Sequence, residues 1–355
     1  MSAAPTPRPE LASLPEYRAG KPAPAVPGLA PLKLSSNERS DGLSPAARAA
    51  LVESVAFNRY PDPATTELRN ALAAATGVPA AQIITESGSL GALRLILDAV
   101  VPRDGERAEV VFPWRSFEAY PIIVEVAGAR GRPIPLSTGG ANDLDAMADA
   151  IGPGTCAVIL CTPNNPTGAV ITRDAFDAFM ARVPEHVLVV LDEAYLEYVD
   201  DPDALDGLDA FARYPNVALT RTFSKAYGLA GLRIGYAILS PELADALWRI
   251  RPTFAVTAIA EQAALSVLAD ADGLAAHVTE VQRGRRVIAD ALRAAGEEPI
   301  ESQANFVWFE PRDPDAVETA AACHAVSLRR LGDGIRITIG DAAATERVLA
   351  VIGEL

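Results

Sequence analysis

The chain has 355 residues, half of them hydrophobic, and a formal net charge of −15. That length accommodates one large and one smaller domain, each with its own core. The negative charge argues against a nucleic-acid surface or an anionic membrane as partner, while a small anion in a local arginine or lysine pocket stays compatible with it.

Residues 1–33, with "PTPRP", "KPAPAVPG" and "LAPL", carry too much proline for a regular element and are expected to form an extended arm. "MSAAPTPRPE" lacks the apolar centre of a signal peptide, and no apolar run approaches the roughly 20 residues of a membrane span, so a cytoplasmic location is expected. "SPAARAALVESVA" predicts a helix opened by Ser44 with Pro45 in its first turn. From Thr65 onward, helical stretches alternate with short apolar ones. "TTELRNALAAATG" and "LGALRLILDAVV" have helical texture, and "QIITES", "AEVVF", "AVILCT", "HVLVVLDEAY" and "NVALTRTF" have strand texture. Such alternation predicts an α/β fold with a mainly parallel sheet covered by helices on both faces. After Ser240 long Ala/Leu helices dominate, followed by "NFVWFE" and "GIRITIG" as strands, which predicts a smaller α+β domain. The expected division is arm 1–33, large domain 34–245 and small domain 246–355.

Chemistry is expected where apolar strands end. Lys225 follows the strand "NVALTRTF" and opens the Gly-punctuated loop "AYGLAGLR". Asp192 ends the strand "VLVVL", where an ionised carboxylate needs a cationic partner such as a protonated ring nitrogen. Tyr195, three residues on, offers a phenol to the same ligand. "AVILCTPNNPTG" runs a buried strand into a Pro-flanked turn, a rigid mount for an amide as well as an ordinary tight turn. "TESGSLGALRLIL" is a strand, a Gly-Ser turn and a helix start, which aims the backbone N–H groups near Gly88, Ser89 and Leu90 at an anion. Ser224 and Arg233 add phosphate donors beside the lysine. Together these describe a ligand with a phosphate, a basic ring nitrogen, a hydroxyl and an electrophile for an amine, and pyridoxal 5′-phosphate has all four. On this reading Lys225 forms the Schiff base and moves the proton, while Asp192 keeps the ring nitrogen protonated.

The set "NNPTG", "DEAYLEY", "RTFSKAYGLAGLRIGY", "SQANFVWF" and "GIRITIG" resembles the fold-type I aminotransferases, in the histidinol-phosphate and aromatic aminotransferase branch, from about Leu34 to the C-terminus. "WRSFEAYP" and "SQANFVW" are most similar to the actinobacterial aromatic (phenylalanine) aminotransferases. The resemblance implies a seven-stranded, mainly parallel sheet in the large domain. It implies that Asn165 and Tyr195 hold the ring hydroxyl, that Phe117 stacks on the ring, and that Arg336, with Arg329 as a second, binds the substrate's anionic group. It also implies that Asn37 lies near the substrate and that Tyr60 reaches into the neighbouring subunit's site of a homodimer. Two departures are visible. "ERSDGLSP" follows Asn37 where the family continues toward "NPFG" or "GPLP", and Leu90-Gly91 stands where the phosphate turn commonly has Asp-Glu.

The expected reaction is transamination of a phenylalanine-like amino acid with 2-oxoglutarate, giving an aryl-2-oxo acid and glutamate. Histidinol-phosphate transamination is the alternative, because its phosphate takes the arginine pocket that a carboxylate would occupy. Decarboxylation of a phosphorylated amino acid is a third reading. A regulatory module that binds the cofactor without catalysis would want a DNA-binding domain and the opposite charge. Cys156, Cys161 and Cys323 are few and lie in apolar or alanine-rich stretches, so they are expected to be reduced core thiols. His186, His277 and His324 lack ligand spacing, so no metal is expected.

Overall fold

The computed structural model describes residues 6, 9–14, 16, 17, 19–103 and 108–355. The first residues of the expected arm, Met1–Pro5, lie outside them, as does most of the stretch read for a signal peptide.

Twelve strands are present among the described residues. They are β1 (Leu32–Lys33), β2 (Ile83–Glu86), β3 (Glu109–Trp114), β4 (Arg130–Pro135), β5 (Thr155–Cys161), β6 (Leu188–Asp192), β7 (Val217–Thr222), β8 (Gly235–Ile238), β9 (Phe306–Phe309), β10 (Val326–Ser327), β11 (Arg329–Leu331) and β12 (Gly334–Thr338). Seven of them form the large sheet in the order β2-β8-β7-β6-β5-β3-β4. β8 runs antiparallel to both its neighbours, and the other pairings are parallel. β11, β12 and β9 form a small antiparallel sheet.

Alternation along the central strands explains the layers. Val189 and Leu191 face one apolar cluster with Phe176 and Phe179, while Val190 between them faces the other with Leu93, Ile96 and Tyr120. Each such fully buried aliphatic side chain contributes about 1.5–3 kcal/mol. Helices start where capping residues stand. Ser44 Oγ accepts from Ala47 N for helix Pro45–Ser54, and Thr172 and Asp206 cap the helices Arg173–Met180 and Gly207–Arg213.

Two strands of the large sheet carry no clear signal in the sequence. β4 is an exposed edge strand of sequence RGRPIP, where charge and proline replace alternation. β8 lies inside the motif after Lys225. The arm also holds more structure than its proline content suggests, with a 3-10 turn at Pro9–Ser13 and β1 paired in parallel with β10.

A third apolar cluster joins Phe306, Phe309, Ile335, Ile337 and Val348 of the C-terminal layer to Leu34, Tyr195 and Tyr198. Residues after 245 do not all belong to it. Ala260, Ala263 and Ala264 of helix Ala258–Leu268 pack into a large-sheet cluster, so this helix sits with the large sheet.

Candidate active site

The register of the large sheet aligns three strand ends. Cys161 at the end of β5 lies opposite Asp192 at the end of β6, and Asp192 lies opposite Thr220 of β7. The carboxyl edge of the sheet, two loops and the small sheet together enclose a cavity of about 470 Å³. It gathers Asn37, Ser89, Leu90, Phe117, Asn165, Asp192, Tyr195, Ser224, Lys225, Arg233, Arg329 and Arg336. These, all named in the sequence reading, come from nearly the whole length of the chain, and residues it did not name, among them Ser36, Glu38 and Glu118, line the cavity with them.

Asp192 is buried, and its Oδ2 accepts from the Tyr120 hydroxyl at 2.7 Å and its Oδ1 from Thr220 Oγ1 at 3.1 Å. Burial pushes its carboxyl pKa up, and these two hydrogen bonds and the charge of Lys225 oppose that rise. No ion pair holds Asp192 among the described residues, so a buried carboxylate faces the cavity with donors but no directly bonded cation.

Lys225 is half-buried at the cavity wall, three residues past the end of β7. Its Nζ lies 3.4 Å from the Ser36 carbonyl and 5.7 Å from the centre of the Tyr195 ring. Burial, then the positive charge of Arg336, lowers its pKa to about 8, so an appreciable fraction is neutral amine near neutral pH.

At the opposite end Ser89, Ser224 and Arg233 converge. Ser224 Oγ accepts from Thr222 Oγ1 at 2.9 Å and from Arg233 Nη1 at 3.2 Å, which leaves its own O–H to donate into the cavity. Gly88 has φ +85°, and a Cβ there would stand 2.5 Å from Arg233 Nη2. A Cβ on Gly235 would stand 2.5 Å from Ser89 N. The two glycines thus keep open a cradle of donors suited to a phosphate. One expectation needs correction, because the Gly88 N–H turns back to the Glu86 carbonyl at 2.7 Å. Gly88 supplies room there, and the helix N-terminus at Ser89 supplies the donors.

Asn37 is locked from several sides, with its Nδ2 donating to the Tyr195 hydroxyl at 2.9 Å and its Oδ1 accepting from Thr338 Oγ1 at 3.0 Å. The Pro-flanked turn is rigid because Asn164, the neighbour of the expected residue, bonds Thr167 Oγ1 and accepts from Ser116 Oγ at 2.7 Å. That frees Asn165 to line the cavity, where its Oδ1 accepts from Arg336 Nη1. Arg336 also donates to the Ser35 carbonyl at 3.0 Å, and its Nε is buried without a partner. Phe117 packs edge-on against Tyr120 and against Tyr17 of the arm. The loop "ERSDGLSP" is pinned beside the lysine, because Arg39 Nη1 donates to the Ala226 carbonyl at 3.0 Å.

Tyr60 is not in this cavity. It is 82% exposed and stacks on Phe254 with ring centres 4.5 Å apart. Cys323 is exposed, against the expectation of a core thiol, because it ends helix Pro314–Cys323 on its outer side, while Cys161 is buried and Cys156 is half-buried. His277 bonds the Tyr198 hydroxyl at 3.2 Å, away from the cavity residues. Sequence reasoning missed Tyr120 and Thr220 as the supports of Asp192. The signal for Thr220 was its place on the strand that leads to Lys225, and Tyr120 followed Phe117 in "RSFEAYP".

The donor set fits a planar cofactor with a phosphate at one end and a ring nitrogen at the other. Residues 30–352 match the family described as aminotransferase class I and II. The chain is 44% identical over 351 residues to the aromatic amino acid aminotransferase of Streptomyces coelicolor, covering 98% of this chain and 96% of that one. It is 46% identical over 349 residues to the aromatic amino acid aminotransferase of Corynebacterium diphtheriae, covering 97% of each. The crystal structure of histidinol-phosphate aminotransferase from Sinorhizobium meliloti, in complex with pyridoxal-5′-phosphate, superposes with a TM-score of 0.86 at 29% identity, covering 99% of both chains. The chain therefore belongs to the class I and II aminotransferases and has their fold-type I architecture.

Proposed function

We propose that this aminotransferase uses pyridoxal 5′-phosphate to move the amino group of an aromatic L-amino acid to 2-oxoglutarate. The observation that carries this reading is the convergence on one cavity of a lysine of lowered pKa, a buried carboxylate without a bonded cation and an open phosphate cradle. The relatives named as aromatic amino acid aminotransferases support the aromatic class. When bound, pyridoxal phosphate supplies an aldehyde for amines and an electron-sink ring.

The chain's own residues do the rest. Ser89, Ser224 and Arg233 would hold the phosphate, and Asn165 and Tyr195 would hold the ring hydroxyl. Asp192, whose ionised form the Tyr120 and Thr220 hydrogen bonds favour against burial, would balance the ring nitrogen, and Phe117 would stack on the ring. Lys225 would anchor the cofactor and, as a free amine, would move the proton, a role that its lowered pKa favours. Arg336 takes the substrate's acid group, with Arg329 beside it and Asn37 bracing Tyr195.

We further propose a homodimer to which Tyr60 contributes, a cytoplasmic setting in keeping with three unpaired cysteines, and a division into an arm 1–33, a large domain 34–245 and a small domain 246–355. Histidinol phosphate is the second reading, favoured by the two arginines on adjacent strands. The test compares kcat/KM for L-phenylalanine and L-histidinol phosphate with 2-oxoglutarate. A tenfold or greater preference for phenylalanine, about 1.4 kcal/mol at the transition state, supports the aromatic reading, and the reverse preference overturns it. Release of carbon dioxide without a 2-oxo acid would sink transamination itself.

A further inference from the structure

Arg329 and Arg336 are direct cross-strand partners on β11 and β12, and both line the cavity. Their surroundings differ. Arg336 is buried and is met by a side-chain amide and a backbone carbonyl, with no carboxylate bonded to it among the described residues. Arg329 forms an ion pair with Glu118, Nη2 to Oε2 at 2.5 Å, with side-chain exposures of 11% and 28%. Its Nη1 donates to the Ala19 carbonyl of the arm at 2.9 Å. Glu118 itself lines the cavity, in the turn between β3 and helix Tyr120–Ala127. Among the described residues, Glu118 thus offsets one of the two guanidinium charges that β11 and β12 present to the cavity.

We propose that Glu118 determines the anion that the substrate pocket accepts, by neutralising Arg329 and leaving Arg336 to match one negative charge. A carboxylate carries one charge, whereas a phosphate monoester above its second pKa of about 6 carries two. A pocket in which one of the two guanidinium charges is already offset suits the first. A phosphate would also bring its charge toward the Glu118 carboxylate in a partly desolvated setting, where like charges repel most strongly. Specificity here comes from a repulsive element as well as an attractive one. Glu118 is a specificity residue for an amino acid over a phosphorylated amino alcohol. The inference rests on the reading that the substrate's acid group binds at Arg336.

The test uses the pyridoxal-phosphate-loaded protein at pH 8 and two probes that lack an amine and so cannot react, 3-phenylpropionate and 2-phenylethyl phosphate. Calorimetric Kd values are measured for the wild type, Glu118→Gln, Glu118→Asp and the double variant Glu118→Gln/Arg329→Gln. The wild type binds the carboxylate more tightly. Glu118→Gln shifts the ratio of the two Kd values at least tenfold toward the phosphate, Glu118→Asp retains the wild-type preference, and the double variant returns to it. The kcat/KM ratio for phenylalanine against histidinol phosphate moves in the same direction. If Glu118→Gln weakens both probes alike, or leaves their ratio unmoved, the residue only braces the arm and the inference is wrong. A wild type that turns over neither amino substrate defeats the reading of the site itself, whereas turnover with an unmoved ratio defeats the charge assignment alone.

Discussion

Lys225 is an amine held where it keeps its proton poorly. Burial and Arg336 bring its pKa to about 8 from an ordinary 10.5, so between those values the unfolded chain holds a proton that the folded chain has lost. Wild-type stability without cofactor therefore rises with pH across that window. Lys225→Met removes the buried cation, so cofactor-free Lys225→Met should melt above the wild type at pH 7, with the gap closing as pH rises past 8. A gap that stays constant in thermal melts from pH 7 to pH 10 would contradict the lowered pKa. Turnover by Lys225→Met should fall below detection, because no other lysine among the described residues lines the cavity to take the anchoring role. Lys225, Asp192, Asn165 and Ser224 were legible because each stands within a few residues of an apolar strand's end, where local texture reveals it. Tyr120 was not, because it meets Asp192 across 72 positions of chain and only the sheet brings them together.

Among the elements, the turn from β5 shows how a short motif becomes a rigid mount. Gly168 has φ +82°, and a Cβ there would come within 2.0 Å of Ser302 Oγ. The Gly168 N–H closes the turn on the Asn164 carbonyl at 2.6 Å, and the Gln303 N–H donates to the Gly168 carbonyl at 2.8 Å. Gly168→Ala should therefore lower stability by more than the ~1 kcal/mol of an ordinary strained position and raise the KM for cofactor, since Asn165 moves with the turn. Thermal melts and a cofactor titration check both effects. Unchanged values in both would mean that the turn is looser than its contacts imply. The sequence marked this stretch as a turn from Asn, Pro and Gly alone. It did not reveal that Ser302, from a segment more than a hundred residues away, sets the requirement for glycine.

At the scale of the whole molecule, several large apolar side chains remain exposed. Phe57 and Tyr60 are 74% and 82% exposed, and Val52 and Ile250 are about half exposed. Tyr60 stacks on Phe254, whose φ of +62° is uncommon for an aromatic residue. Such a group suits burial against a second copy of the chain. Tyr60→Asp should shift the proposed dimer toward monomer in sedimentation and lower cofactor affinity together. Loss of activity in a fully dimeric Tyr60→Asp would place its role elsewhere. The sequence by itself determined the α/β architecture and the residues that stand at strand ends, because period-two apolar runs and turn residues are local signals. Only the tertiary structure decided that Gly88 gives space where an N–H was expected, that the helix Ala258–Leu268 sits with the large sheet, and that Glu118 faces Arg329. Those outcomes depend on which distant segments share a sheet edge, and the pairing energies that select them are spread over the whole core, beyond the reach of any short stretch of residues.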